Sequence, residues 1–389
     1  MADDFPLEVK LSKKLVSIES VVSDKNKNVI PINQEIIDLT QGWLIDLGYK
    51  PVTIPDKERD RIGAIVAIGS DEELLFQGHL DTVQKGEWGI EKGKEHKYNW
   101  LGEISKDKTK LYGRGISDMK GQIGAFFAAL HETKKRPHVI LTTDEEIGHI
   151  TGFEGARVGV KHLIDNGHTA KYAINMEPSA FKMVYARKGA IWGQLTVHGK
   201  SAHGSKPHEG INAIYHAASI IEAIKYHAEI IKQDEDEDLG YRTINVGMIN
   251  GGSEPNTVAG SCTIDIESRL IPGETGEQAR KKLVNSITAQ TNLEHGKDFN
   301  FSELGMNRPG YKIKTEVAQK LLARIPKEHN ITLGISKGLS ENFMIGSFGI
   351  PTVTLGASSG SADHSSDEFI KLEDLTKIKN CYIALMENK

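Results

Sequence analysis

Cysteine is nearly absent: Cys262 and Cys381 are the only two in 389 residues. They can close at most one bridge, so a disulfide-stapled scaffold is excluded and a reduced cytoplasmic protein is the simpler expectation. No run approaches the ~20 apolar residues that a membrane span needs. The amino terminus, MADDFPLEVK, lacks the basic start and apolar stretch of a signal peptide. An excess of either charge is missing as well. Lys and Arg number 48 against 53 Asp and Glu, a formal net charge of −5, which leaves no electrostatic footprint for nucleic acid. What remains is ordinary globular composition, 38% hydrophobic and 26% charged, at a length that predicts two domains at ~150 residues each. Fifteen histidines invite a search for ligands.

The first ~190 residues alternate helical and extended patterns. Apolar residues recur at helical spacing over 7–18 and 34–47, the second stopping at Gly48. Extended runs follow at 63–68, 74–77, 139–143 and 172–176, with a helix expected at 121–131 between them. Strands alternating with helices predict an α/β layer with a mostly parallel sheet. The pattern then changes to strand 191–198, helix 211–231, strands 241–249 and 260–270, and helix 277–290, a small α+β unit with an antiparallel sheet. From Tyr311 the α/β pattern resumes, with a buried strand at 352–355 and a closing helix at 372–386. The expected architecture is a catalytic α/β domain, 1–188 and 304–389, interrupted by an inserted domain at 189–303. The acidic run 233–239, QDEDEDL, is expected to be a solvated loop.

Chemistry concentrates after the strands. In Gly78-His79-Leu80-Asp81 the two polar side chains share one face of a strand, and a metal-binding histidine gives its second N–H to such a carboxylate. Taken alone, a histidine two residues from an aspartate is more often a satisfied core histidine. A glycine-punctuated loop at 111–121 delivers Asp118 to the start of a helix. It imitates a dinucleotide fingerprint but has Asp118 in place of the third glycine, and Gly199-Lys200-Ser201 misses phosphate-loop spacing by one residue. Glu145 and Glu146 close the strand 139–143, so one can hold a metal while its neighbour faces substrate. Without partners, adjacent carboxylates would repel; read alone, this is also an exposed acidic turn. Glu177 ends the next strand and His364 follows the strand at 352–355, and ligands bind at carboxyl ends of strands in α/β sheets. His79, Asp118, Glu146, Glu177 and His364 are too many ligands for one tetrahedral zinc but suit two metals sharing one carboxylate. Three carboxylates against two dications leave one positive charge, which a bridging hydroxide would cancel. Nitrogen and oxygen donors without thiolate admit Zn²⁺, and also Co²⁺ or Mn²⁺.

GHLDT at 78–82, GRGISDMKG at 113–121, TTDEE at 142–146, MEP at 176–178, GKSAHGSKPHEGINAI at 199–214, GGSEPNTVAG at 251–260 and ADHSSDE at 362–368 together resemble the co-catalytic zinc amidohydrolases. That family includes acetylornithine deacetylase, succinyl-diaminopimelate desuccinylase, aminoacylases and related carboxypeptidases, and the resemblance runs through almost the whole chain. It implies two Zn²⁺ per subunit bridged by Asp118, with His79 and Glu177 completing one site and Glu146 and His364 the other. Glu145 would be the general base and Asp81 would orient His79. A cis peptide bond would follow Asp118. The inserted domain, of ferredoxin-like form, would make a homodimer and bring His203 to the partner's oxyanion. Arg187, Asn256 and Arg269 match positions that bind substrate carboxylate or line the pocket.

The implied reaction is hydrolysis of an N-acyl amino acid by a metal-bound hydroxide, metal having lowered the pKa of water from 15.7 toward ~7. The nearest resemblance is to acetylornithine deacetylase, which makes L-ornithine and acetate for arginine biosynthesis. A desuccinylase of N-succinyl-LL-2,6-diaminopimelate in lysine biosynthesis is second, weakened by Ala190 where many such relatives carry a small hydroxyl residue. A dipeptidase or carboxypeptidase is third. A non-catalytic relative would lack a ligand or the base, and all are present here. Neither a nucleic-acid nor a membrane partner is expected.

Overall fold

The computed structural model describes residues 5–25, 28–30, 32–57, 60–84, 90–91, 94–95, 99–147, 154–357 and 367–388. The chain folds as two units, the first comprising Met1–Tyr185, Ile313–Ile335 and Ser340–Lys389, the second Ala186–Lys312 and Ser336–Leu339. In the first unit the elements run α1 (Leu7–Val16), α2 (Gln34–Asp46), β1 (Val52–Asp56), β2 (Arg61–Ala67), β3 (Asp71–His79), α3 (Gly121–Glu132), β4 (Pro137–Thr142), α4 (Gly155–Asp165), β5 (Tyr172–Asn175) and β6 (Lys182–Arg187). Asn33 caps α2 by accepting from the Glu35 amide at 2.9 Å, satisfying one of the first-turn donors. Helix α3 is buried from Gly121 through Leu130, as an apolar helix under a sheet must be. A methyl group on Gly124 would collide with Ser12 of α1, so glycine sets the approach of these two helices.

The second unit contains β7 (Gly189–His198), α5 (Ala213–Ile231), β8 (Thr243–Gly251), β9 (Ser261–Leu270), α6 (Gly276–Thr291) and β10 (Phe299–Arg308). Its sheet is ordered β8–β9–β7–β10 and is antiparallel throughout. Strands β7 and β9 alternate buried and half-buried positions, and the buried set meets both helices in a core of Leu195, Val197, Ile220, Ile224, Ile264, Leu283 and Phe299. Thr275 and Gln278 form a capping box on α6. Strand β10 completes a βαββαβ unit that the sequence pattern left without its last strand. Phe299 and Phe301 alternate inward at its start, residues 302–305 are exposed, and burial returns only at Met306 and Arg308. The domain break expected after residue 303 falls inside β10, whose Asn307 and Arg308 still pair with Ile191 and Ala190. The acidic run is not wholly solvated either. Asp238, Asp236 and Glu237 converge on Lys312 at 2.6, 3.1 and 3.3 Å.

The chain re-enters the first unit through α7 (Thr315–Leu322), β11 (Thr332–Ser336), β12 (Thr352–Thr354) and α8 (Leu372–Glu387). The main sheet is ordered β6–β12–β5–β3–β4–β2–β1, with β11 beside β6. Neighbours β12, β5, β3 and β4 are parallel, while β6, β2 and β1 join antiparallel. The parallel strands are buried on both faces. Their carboxyl ends therefore lie along one rim, where His79, Glu145, Glu146 and Glu177 emerge. Among the described residues no helix is long and apolar enough to cross a membrane.

Candidate active site

His79 is the last residue of β3 and is 1% exposed. Its Nε2 stands 3.0 Å from Asp118 Oδ1 and 3.7 Å from Glu177 Oε1. Its Nδ1 lies 2.9 Å from the backbone carbonyl of Asp81, with the Asp81 carboxylate farther away at 3.6 Å. A proton on Nδ1 donated to that carbonyl leaves Nε2 as the ligand atom. Burial disfavours the imidazolium, yet hydrogen bonds to Asp118 and Asp81 and the charges of Asp118 and Glu177 hold His79 well above the usual histidine range.

The Asp81 carboxylate, expected to orient His79, also holds backbone. Its Oδ1 accepts from the Glu145 amide at 3.2 Å and its Oδ2 from the Glu146 amide at 3.0 Å. One buried aspartate thus fixes the backbone of Glu145 and Glu146 in the turn after β4. Behind it, Arg61 links Asp56 and Asp144 at 3.0 and 3.3 Å. Burial, followed by the charges of Asp81 and Glu341, raises the Asp144 carboxyl well above its ordinary range despite Arg61.

Asp118 is delivered by a loop that has a cis peptide bond to Met119, as the family resemblance implies. The loop is held by Glu368, the last residue of the ADHSSDE motif, to which its place in the sequence assigns no role. Its Oε1 accepts from the amides of Ser117 and Asp118 at 2.7 and 3.2 Å, and its Oε2 from the Gly115 amide at 3.0 Å and Arg114 Nη1 at 2.8 Å. Burial raises the Glu368 carboxyl, opposed by the Gly115 amide and Arg114. A second supporting carboxylate, Glu341, accepts from Gln77, from Thr142 Oγ1 at 2.9 Å and from the Ala156 amide at 3.3 Å, tying β3 to β4 and α4 beneath the rim. Neither residue lies in a spacing pattern that marks a ligand.

Two overlapping triads result: His79, Asp118 and Glu146, and His79, Glu145 and Glu177, the donor atoms of each within 4.8 Å of one another. One imidazole and four carboxylates gathered at this spacing repel unless cations or protons are supplied. The oxygen and nitrogen donor set fits divalent metal ions. His364, expected to complete the second metal site, lies outside the described residues. A third triad, Glu72, His138 and His168, is not equivalent. His138 Nδ1 accepts from the Gly69 amide and Nε2 faces the Thr169 carbonyl, both at 3.1 Å, so neither ring nitrogen is available.

The remaining expected residues belong to the second unit. His203 is exposed, and its Nδ1 accepts from the Ser205 amide at 3.1 Å; the proton then resides on Nε2. His203 and Thr257 form a bridge, and the Gly204 amide donates to the Asn256 carbonyl at 2.7 Å, so the His203 and Asn256 loops lie together. Arg187 Nη1 donates to Ser336 Oγ and the Leu339 carbonyl at 3.3 and 3.1 Å, and Arg269 Nη1 to the Lys337 carbonyl at 3.2 Å. These two arginines grip one short segment.

Residues 185–292 match the family profile described as peptidase dimerisation domain. An acetylornithine deacetylase of Aliivibrio fischeri (strain MJ11) is 30% identical over 284 residues, covering 69% of each chain. One of Proteus mirabilis (strain HI4320) is 27% identical over 399 residues, covering 98% of this chain and 97% of its own. Among solved structures, an M20 family metallo-carboxypeptidase from Sulfolobus solfataricus superposes with a TM-score of 0.73 at 17% identity, covering 97% of this chain and 98% of the other.

Proposed function

The chain belongs to the M20 family of metal-dependent peptidases and amidohydrolases, and on that footing we propose that it hydrolyses the amide bond of an N-acyl amino acid. The observation that carries the reading is the pair Glu145 and Glu146, locked by Asp81 beside the His79 cluster. Nα-acetyl-L-ornithine is the candidate substrate that the relatives' names supply; N-succinyl-LL-2,6-diaminopimelate is its alternative. His79, Asp118 and Glu177 would hold one divalent ion, and Asp118, Glu146 and His364 a second, zinc being the first choice and cobalt or manganese compatible. Bound there, the ions supply a Lewis acid and a water that ionises near neutral pH.

The protein side of the chemistry follows from the residues. Glu145 accepts the proton of the attacking water as oxygen adds to the acyl carbon. It returns that proton to the nitrogen as the C–N bond breaks, giving a carboxylic acid and a free amine. Asp81 keeps Glu145 in register by holding its amide. His203, with Nδ1 spent on Ser205, presents Nε2–H as a donor to the oxyanion, reaching a second copy in a homodimer formed through this unit. Arg187, Asn256 and Arg269 would bind the substrate. The buried free thiols Cys262 and Cys381 accord with a reducing compartment.

Glu145→Ala should fold and bind metal like the native protein while losing turnover by about 10²–10⁴-fold. Near-native turnover would sink the assignment. Chelator-sensitive cleavage of Nα-acetylornithine, preferred tenfold or more over the succinyl compound, would establish a deacetylase; the reverse preference would establish a desuccinylase.

A further inference from the structure

Gln77, Asn175 and Thr354 are register partners on the neighbouring parallel strands β3, β5 and β12. They form one buried row across the sheet, two residues before His79 on β3 and two before Glu177 on β5. Polar side chains in a sheet covered on both faces are costly unless each meets a partner, and these meet one another. Gln77 Nε2 donates to the buried Glu341 carboxylate, and Asn175 Nδ2 donates to Gln77 Oε1. Asn175 Oδ1 accepts from the Glu177 amide at 3.2 Å, and the Thr354 hydroxyl donates to the same oxygen at 3.4 Å. Every member belongs to the first unit. The direction of the row is fixed at both ends. A carboxylate at Glu341 only accepts, so Gln77 offers it NH₂ and turns its oxygen to Asn175, which offers NH₂ in turn and keeps its oxygen for Glu177. From the other end the result is the same, because a backbone N–H only donates. Glu341 is itself pinned by Thr142 Oγ1 at 2.9 Å and the Ala156 amide at 3.3 Å.

We propose that Glu341, Gln77 and Asn175 are positioning residues, a polarised relay through which the charge of Glu341 fixes the backbone of Glu177 and so aims its carboxylate, 3.7 Å from His79 Nε2, at the metal. The inference rests on the proposed function for the role of Glu177 and goes beyond it by naming what holds that residue. Reversing the relay takes two changes. With Glu341→Gln alone, one backbone donor faces an NH₂: the Ala156 amide or, if both relay amides turn over, the Glu177 amide. With Asn175→Asp alone, Gln77 presents its oxygen to a carboxylate whichever way it turns. With both, the new amide at 341 donates to Gln77 and Gln77 donates to the new carboxylate at 175, which still accepts from Glu177. Each of these donors then meets an acceptor again.

The test is this polarity swap in the full-length protein, read by urea unfolding without metal and by calorimetric titration with Zn²⁺. Charge alone predicts that Glu341→Gln, which removes a carboxylate whose charge bears on Asp144, raises the urea midpoint. It also predicts that Asn175→Asp, which adds a carboxylate near the ions, tightens zinc. The relay predicts the reverse of both: a lower midpoint for Glu341→Gln, and one zinc ion bound at least tenfold more weakly by Asn175→Asp. The double variant should recover the native midpoint and regain at least the lost tenfold in affinity. A raised midpoint in Glu341→Gln, undiminished zinc affinity in Asn175→Asp, or a double variant no better than the worse single overturns the proposal. Should a single variant fail to fold, a folded double variant with native zinc affinity supports the relay, and a double variant that also fails overturns it. Zinc affinity is read without substrate. If it follows the relay but no N-acyl amino acid is cleaved, the amidohydrolase reading fails while the relay stands. Cleavage by a protein whose zinc affinity ignores both substitutions keeps the amidohydrolase and removes the relay.

Discussion

Replacing Glu368 with glutamine tests whether the loop carrying Asp118 is held by one buried carboxylate. Each oxygen of Glu368 serves two donors, Oε1 the amides of Ser117 and Asp118, Oε2 the Gly115 amide and Arg114 Nη1. An amide group retains one oxygen, so whichever way it turns, two donors face an NH₂. An orphaned buried donor costs about 1–3 kcal/mol, and depriving a buried arginine of its counter-charge costs about 3–5 kcal/mol. These penalties overlap, so Glu368→Gln should lose about 3–5 kcal/mol, a large share of a typical 5–15 kcal/mol stability. The affected amides belong to the backbone bearing Asp118, so metal affinity should fall at least tenfold as well, with kcat recovering once excess metal fills the site. Urea unfolding of the metal-free protein gives the first quantity and metal titration the second. A loss under about 1 kcal/mol with unchanged metal affinity would refute the reasoning.

Other expectations concern the second unit. His227 is buried, and desolvation followed by the charges of Arg242 and Lys282 lowers its pKa to about 4, with Asp234 opposing. The unfolded chain binds this proton near pH 6.5 and the native one does not, so stability should fall as pH drops from 6.5 to 4, by on the order of 2 kcal/mol. His227→Leu should remove that slope; an unchanged slope would exonerate the residue. Lys312→Met leaves Asp236, Glu237 and Asp238 facing one another and should cost about 1–3 kcal/mol, less at 1 M salt, where repulsion is screened. Equal cost in low and high salt would contradict the electrostatic account. Tyr215, Met248 and Ile249 are 72%, 66% and 53% exposed, an apolar display suited to a second copy of the chain. Sedimentation should show a dimer that Ile249→Asp weakens at least tenfold, and a monomeric native protein would exclude that use of the surface.

The candidate metal-site residues were legible because chemistry demands particular side chains at strand ends. His79, Asp118, Glu146 and Glu177 each follow a buried apolar run or a glycine-rich loop, and the runs reveal where the strands end. The supports beneath them were not legible. Glu341 is brought to Gln77 and Thr142 across more than 190 residues of sequence, and no periodicity encodes such a meeting. Asp81 was visible as a partner of His79, but its grip on two backbone amides depends on the turn after β4. Strand β10 escaped because its alternation breaks over the exposed residues 302–305, while its pairing with β7 is set by backbone hydrogen bonds. The acidic run looked solvated because Lys312, its counter-charge, lies beyond β10 in the sequence.

The interruption of the first unit by the second has a consequence during synthesis. Strand β12 sits between β5 and β6, pairing Thr352, Val353 and Thr354 with β5 and Thr354 with β6. Strand β6 therefore has no member of the parallel set to rest on until those residues leave the ribosome. The second unit has all four of its sheet strands once Arg308 has emerged. At ~5–20 residues per second, the later unit in sequence can close its sheet some seconds before the earlier one. During that interval the apolar edge of β5 is open to chaperones and to neighbouring nascent chains, and slow translation across residues 313–354 would lengthen the exposure.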